Sequence, residues 1–440
     1  MSSIPAPSGG PRTGSAGTLS FCLVTTFYPP ASFGGDAVHV QRVAHGLAVR
    51  GHRVRVVHNP GAYHMLGGRT AGAVTKTHPG VEVVPLPQGP LAPGATTATY
   101  LTGRPVGYHR RLMELTEGFD VVHVHNPSLL GGPRAFELGD ADALRLYTAL
   151  EHWLLCPTHV LFRYGKEVCE KRTCWRCTVS YRRPPQLWRS TSLLGDAVRH
   201  LDALIAPSRF TSDLHAAAFP GIRVETLPLL FWPDDPPPTE RRPRSDRPLF
   251  VFAGRLEPIK GADRLVRSFA RVRGADLVVA GSGSQAEELA RLAAGNPAIR
   301  LVGRLPHESV IDLIRSAAAV VVPSVGYETF GGIAVECMAL GTPAVVRALG
   351  PLPELIEDGG GLAFADDDQL VDVLQSLVDD PGLRRRLADA APACERRFGT
   401  TAYFSRYYGI LAEAATRRDL DDLAARVGVA ATAPAGAGGP

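Results

Sequence analysis

Short, β-branched apolar runs alternate with longer amphipathic stretches along most of the chain. Residues 20–26, 53–58, 81–84, 120–125, 144–150 and 203–206 have the length and composition of buried strands, and 37–50 carries a helical period between two of them. The pattern then breaks. Residues 233–247 (PDDPPPTERRPRSDR) hold five prolines and no apolar periodicity, which predicts a linker. A second series follows at 249–253, 276–280, 299–302, 319–322 and 343–345, and an aromatic-rich stretch at 402–418 predicts a closing helix. This alternation predicts an α/β protein of parallel sheets wrapped by helices. Its first domain covers 18–232 and its second 248–400, with 401–428 a terminal helix able to pack back on the first. Residues 1–17 and 429–440, rich in Gly, Pro, Ser or Ala, read as disordered tails.

Composition narrows this picture only slightly. The 440 residues are 45% hydrophobic and 20% charged, ordinary globular values, and the length suits two or three domains. The formal charge of +4 suits a phosphorylated ligand or an anionic membrane face and demands neither. Lys76, Lys166, Lys171 and Lys260 are the only lysines among 47 basic residues, so a lysine here stands out against an arginine background. No apolar run reaches the ~18 residues that span a bilayer. The apolar stretch 19–27 leads into Pro29-Pro30 and glycines instead of a cleavage site, and reads as the first strand of a cytoplasmic protein. Seven unevenly spaced cysteines do not resemble a secreted disulfide framework.

The densest chemistry lies at 320–345, VVVPSVGYETFGGIAVECMALGTPAV. A strand ends at Pro323, a polar loop carries Glu328, and Gly331-Gly332 opens a helix bearing Glu336. Paired glycines let a ligand approach the backbone, and free N–H groups at a helix start suit phosphate oxygens. Ionised carboxylates accept hydrogen bonds from sugar hydroxyls. Acidic residues near a helix start are also favoured by the dipole alone, and for Glu336 by itself that reading weighs equally. Further upstream, Arg255 follows the strand-end Gly254, where α/β sheets place ligands, and Lys260 stands in a glycine-flanked loop. Asp366-Asp367-Asp368 contains a literal D-x-D, but it precedes the helical pattern 369–378 and reads as an N-cap with first-turn acids.

The 320–345 segment resembles the E-x7-E signature of the retaining glycosyltransferases of family 4, and FAGRLEPIKG (252–261) resembles their G-R-x-x-x-x-K-G stretch. FYPPASFGGDAVHV (27–40), RGHRVRVV (50–57), DVVHVHNP (120–127) and IAPSRF (205–210) add to the likeness in family order. The resemblance implies the GT-B fold, two Rossmann-like parallel-sheet domains facing each other across a cleft. It also implies transfer of a sugar from a nucleoside-diphosphate sugar to a hydroxyl acceptor, which could be a glycan, a glycolipid or a secondary metabolite. Arg255 and Lys260 would hold the donor diphosphate, and Glu336 the ribose. Glu328 with the backbone of Phe330, Gly331 and Gly332 would hold the sugar, with Gly34 and Gly35 beside the diphosphate or acceptor. His125, or alternatively His123 on the same strand face, would touch the sugar near the reacting carbon. A strand-end histidine pair of this kind is as often structural. No covalent nucleophile stands out, which suits a front-face mechanism with retention, and no catalytic metal is expected. Gly332 and Cys337 depart from the family pattern: the first could widen the sugar subsite or change which hydroxyls are read, and the second reads as packing. A same-fold epimerase or phosphorylase, or a non-catalytic binding protein, are the alternatives.

One segment stands apart. Residues 152–189 carry Cys156, Cys169, Cys174 and Cys177 in the spacing C-x12-C-x4-C-x2-C. Four such thiolates suit a structural Zn site, with His152 or His159 as substitute ligands and free thiols or disulfides as the other readings. A similar four-cysteine insertion occurs in a subset of the family. The segment is also basic, from Arg163 and Lys166 through Arg182, Arg183 and Arg189, with Trp175, Tyr181 and Trp188 interleaved. Its placement after a strand of the first domain favours an acceptor-recognition or lid element, which could serve an anionic or lipid-linked acceptor, over nucleic-acid binding. Peripheral attachment to the inner membrane face, the oligomeric state and the identities of sugar and base stay open.

Overall fold

A computed structural model describes residues 17–68, 77–87, 92–230 and 247–432. The linker expected at 233–247 lies outside these residues apart from Arg247, as do 1–16 and 433–440 of the expected tails. Residues 429–432, which composition assigned to the tail, stand in the helix Asp421–Thr432.

The first domain supplies strands β1 (Ser20–Thr25), β2 (Arg53–His58), β3 (Val81–Pro85), β4 (Val121–Asn126) and β5 (Leu144–Thr148). A small antiparallel hairpin, β6 (Phe162–Arg163) with β7 (Glu167–Val168), lies within the cysteine-rich insertion. Strands β8 (Ala203–Ala206) and β9 (Val224–Thr226) complete the domain. The second contains β10 (Leu249–Ala253), β11 (Asp276–Ala280), β12 (Ile299–Gly303), β13 (Ala319–Val322), β14 (Ala344–Arg347) and β15 (Gly361–Phe364). The seven-stranded sheet runs β3-β2-β1-β4-β5-β8-β9 and the six-stranded sheet β12-β11-β10-β13-β14-β15, and every pair within them is parallel. Strands buried on both faces explain the near-continuous Val, Ile and Leu runs.

The strand order reverses between β1 and β4 in one sheet and between β10 and β13 in the other. Open α/β sheets bind ligands beyond the carboxyl ends of such strands. The segments leaving those ends carry Gly34-Gly35 after β1, Ser128 after β4, Gly254-Arg255 after β10 and Glu328 after β13. All line one cleft.

The helix Thr400–Arg417 returns to the first sheet. Tyr407 Oη lies 2.9 Å from His123 Nδ1, and Tyr408 Oη 2.6 Å from His52 Nε2. Arg426 in the following helix pairs with the buried Asp120 at 2.9 Å. Burial alone would raise that carboxyl, but Arg426 and the Ser20 donors hold it below its usual value.

Candidate functional site

The cleft has two adjoining lobes, of about 660 Å³ and about 220 Å³, which share Phe33, Gly34, Gly35, Arg255, Lys260 and Glu328. The smaller lobe sits against the second domain and adds Gly254, Ser324, Gly331 and Gly332. A Cβ built on Gly35 would meet nothing within 4 Å, so the backbone there borders open space. Gly331 is held at φ +97, where a Cβ would come 2.5 Å from Leu352 Cδ2. Only glycine turns the chain there into the helix Gly332–Ala339.

The charged centre is compact. Lys260 Nζ donates to Glu328 Oε1 at 2.6 Å, and Ser324 Oγ donates to the same oxygen at 2.7 Å. Burial would raise the Glu328 carboxyl, but the Lys260 ammonium, these hydrogen bonds and the nearby Arg255 guanidinium hold it below the ordinary glutamate value. Glu328 is therefore an anion, and Lys260 and Arg255 are fixed cations, at the mouth of the smaller lobe.

The larger lobe holds groups that the sequence did not single out. Asp36, in the first turn of Gly35–Val49, has its carboxyl pushed up to about 6 by burial and by the neighbouring Glu151. Glu151 itself accepts from His159 Nδ1 at 2.5 Å. Against its own burial, His159 and then Arg183 and Arg255 hold Glu151 below the usual value. Asp36 was legible in GGDAVHV as a charge beside the glycines. Glu151 carried no signal, because its significance comes from a turn after β5 that faces the second domain. Arg182, Arg183 and Pro184 bring the insertion into the same wall, with Tyr100 and Leu129 beside them.

Other expected residues lie elsewhere. His125 is 1% exposed and does not reach the cleft surface; its ring packs 4.1 Å from that of His123 and 6.1 Å from that of His39. Strand alternation turns both β4 histidines into this layer, and burial lowers His125 to about 3. The Phe330 side chain is buried edge-on to Phe398, 5.6 Å between centroids, and lines neither lobe. Glu336 lies outside both lobes, 3.9 Å from His307 Nε2. Arg163 is occupied by Glu167 within the hairpin. Asp366 caps the helix Asp367–Asp379, accepting from the Asp368 and Gln369 N–H groups.

The expected zinc site is not formed. Among the described residues no group of three or more His, Cys, Asp or Glu is arranged to hold a metal, and Cys156, Cys169, Cys174 and Cys177 are all free thiols. They are neighbours, since burial and then the other three cysteines raise the Cys169 thiol. Three of the sulfurs, however, turn to separate partners. Cys156 Sγ meets Thr158 Oγ1 at 3.2 Å, Cys169 Sγ meets Lys171 O at 3.8 Å, and Cys177 Sγ accepts from the Tyr164 N–H at 3.4 Å. A tetrahedral set would need all four within about 2.3 Å of one point.

Two facing nucleotide-fold domains with a charged cleft between their switch points are the architecture of a GT-B glycosyltransferase. The family description "Glycosyltransferase Family 4" matches residues 33–229, and "Glycosyl transferases group 1" matches 238–393. The chain is a glycosyltransferase of this family 4-like kind. It is 29% identical over 408 residues to a glycogen synthase of Mycobacterium tuberculosis, covering 85% of this chain and 89% of that one. To a D-inositol 3-phosphate glycosyltransferase of Xylanimonas cellulosilytica it is 27% identical over 412 residues, covering 88% and 93%. Among solved structures, a sucrose-phosphate synthase from Thermosynechococcus elongatus has the same fold at TM-score 0.63, with 18% identity and 92% and 99% coverage. HepE from Anabaena, in complex with UDP and glucose, follows at TM-score 0.58, with 17% identity and 90% and 100% coverage.

Proposed function

We propose that the chain is a retaining glycosyltransferase that takes a sugar from a nucleoside-diphosphate donor and passes it to a hydroxyl acceptor. The observation that carries this reading is the convergence of Arg255, Lys260 and Glu328 at the open backbone of Gly34-Gly35. Two fixed cations suit a diphosphate whose charge grows as the glycosidic bond breaks. Glu328 then accepts from donor-sugar hydroxyls beside the 330–332 backbone, and Glu336 serves the ribose. HepE, with its UDP and glucose, supports a nucleotide sugar in a cleft of this fold.

In this reading the C1–O bond to the diphosphate breaks while the acceptor oxygen bonds C1 on the same face. The acceptor proton passes to the departing phosphate oxygen. The enzyme contributes orientation and fixed charge, and no step runs through a metal. Asp36 and Glu151 face the acceptor side and can receive hydrogen bonds from its hydroxyls.

NMR of the product formed from an α-linked donor tests both parts. Acceptor-dependent donor consumption with an α-linked product is expected. A β-linked product would exclude the front-face route, and donor turnover indifferent to every acceptor would point to an epimerase or phosphorylase.

A further inference from the structure

The cysteine-rich insertion carries a surface that donor binding does not use. Its helix Cys174–Ser180 buries Cys177 and Thr178 and turns Trp175 and Val179, four residues apart, outward at 58% and 59% exposure. Leu187 opens the 3-10 turn Leu187–Ser190 at 60% exposure, while Trp188 beside it is buried. The other exposed large hydrophobic side chains among the described residues reach at most 54%. The three most exposed apolar side chains thus belong to one short insertion.

Charge accompanies them. Lys166, Lys171, Arg172, Arg176, Arg182 and Arg183 are exposed in the same segment, against only Glu167 and Glu170, and Glu167 is taken up by Arg163 at 2.5 Å. Chain continuity fixes where the patch lies. Arg182 and Pro184 line the cleft, and each is three residues from Val179 or Leu187, a span of at most about 11 Å. Tyr100 pins this stretch in place: its hydroxyl donates to Pro184 O at 3.0 Å, and its carbonyl accepts from Trp188 Nε1 at 2.9 Å. The cleft mouth adds Phe33 and Leu66, 49% and 54% exposed.

We propose that the insertion docks the protein on an anionic lipid surface, with Trp175, Val179 and Leu187 entering the headgroup–acyl boundary and the cleft mouth facing the membrane. Tryptophan and aliphatic side chains ringed by Lys and Arg match the chemistry of that boundary. Aliphatic Val179 and Leu187 fit lipid better than nucleic acid, whose bases need flat stacking partners. Delivery of a lipid-linked acceptor to the cleft would follow, a consequence that rests on the transferase reading; the docking itself does not.

Flotation of the full chain with vesicles tests this. Wild type is expected to float with phosphatidylglycerol-containing vesicles and to bind pure phosphatidylcholine at least tenfold less. Trp175→Ser/Val179→Ser/Leu187→Ser and Lys171→Glu/Arg172→Glu/Arg176→Glu should each weaken binding at least tenfold. Both sets lie on the surface, so an unchanged melting temperature identifies folded variants. A blue shift of tryptophan emission on vesicle addition, lost in Trp175→Phe, gives a second readout. A wild type that stays in solution with anionic vesicles overturns the proposal and leaves the apolar trio to a protein partner. Undiminished binding by the serine variant overturns it equally. Donor binding, measured without lipid, tells this failure apart from failure of the transferase reading.

Discussion

Lys260 and Glu328 form an ion pair in the cleft, and under the proposed function a donor diphosphate would compete for the ammonium. Lys260→Met should lower kcat about 100-fold, the usual size for a lost transition-state charge partner, and the Glu328 carboxyl should titrate higher once its closest cation is gone. Steady-state kinetics with the best donor checks the first effect; an unchanged kcat would remove Lys260 from the chemistry. The buried histidines make a separate prediction about stability. Burial holds His52, His58 and His152 neutral down to about 4 and His125 to about 3, whereas imidazole in an unfolded chain titrates near ~6.5. The unfolded state therefore binds more protons in this window. Stability should be full above pH ~6.5 and fall as the pH drops toward the folded values, with each pH unit costing up to about 1.4 kcal/mol per histidine. Denaturant melts between pH 7.5 and 5 measure this, and a flat profile would contradict it. That the glycines, Arg255, Lys260 and Glu328 would meet in one cleft was legible because Gly-rich turns and a rare lysine leave a local mark. The fate of His125 was not: a strand histidine looks the same in sequence whether its ring faces a cleft or a packed layer.

At the level of elements, the loop of Glu328 is held by the first domain as well as the second. Ser208 Oγ and Thr211 Oγ1 both donate to Thr329 O at 3.0 Å, and Thr329 Oγ1 donates to Leu150 O at 3.0 Å. Glu354 reaches across to accept from the Arg209 and Phe210 N–H groups at 2.9 and 2.8 Å, covering the start of the helix Arg209–Ala218. Thr329 thus joins the loop of Glu328 to the turn of Glu151. Thr329→Val, which keeps the shape and removes the donor, should reduce kcat by up to 100-fold, roughly the effect of a small misplacement at a reacting centre. Its donor Kd should change much less. Equal losses in kcat and donor affinity would make Thr329 part of donor binding instead. Glu354→Ala should cost about 1 kcal/mol, the worth of a helix cap, in an unfolding titration. Strands were the most readable elements: 53–58, 203–206, 249–253, 276–280 and 319–322 match the observed bounds. The sheet-edge strands β9 and β15 were not read: Val224–Thr226 is three residues with Glu225 at its centre, and Gly361–Phe364 opens on a glycine run and holds no β-branched residue. Contacts between domains join residues far apart in sequence and leave no periodic signal.

Taken as a whole, the molecule is two sheets placed so that their switch points share one cleft, closed at the back by the chain terminus. Helix Thr400–Arg417 buries Tyr403, Phe404, Tyr407, Tyr408 and Leu411, each contributing about 1.5–3 kcal/mol against a net stability of about 5–15 kcal/mol for a typical protein. Truncation after Gly399 should therefore leave a chain that aggregates or fails to melt cooperatively, which calorimetry would reveal; a cooperative transition at the wild-type temperature would contradict the packing argument. Architecture at this scale was legible from alternating patterns and motif order. The insertion was legible as a peculiarity, but three of its four sulfurs meet separate partners and Arg182 and Arg183 line the cleft, and neither follows from spacing. The most direct test of the central claim is a thermal-shift titration against UDP-, GDP-, dTDP- and ADP-sugars, repeated with Lys260→Ala and Glu336→Ala. The expected result is a shift specific to one base that either substitution abolishes. A shift that survives both, or none with any donor, would contradict it.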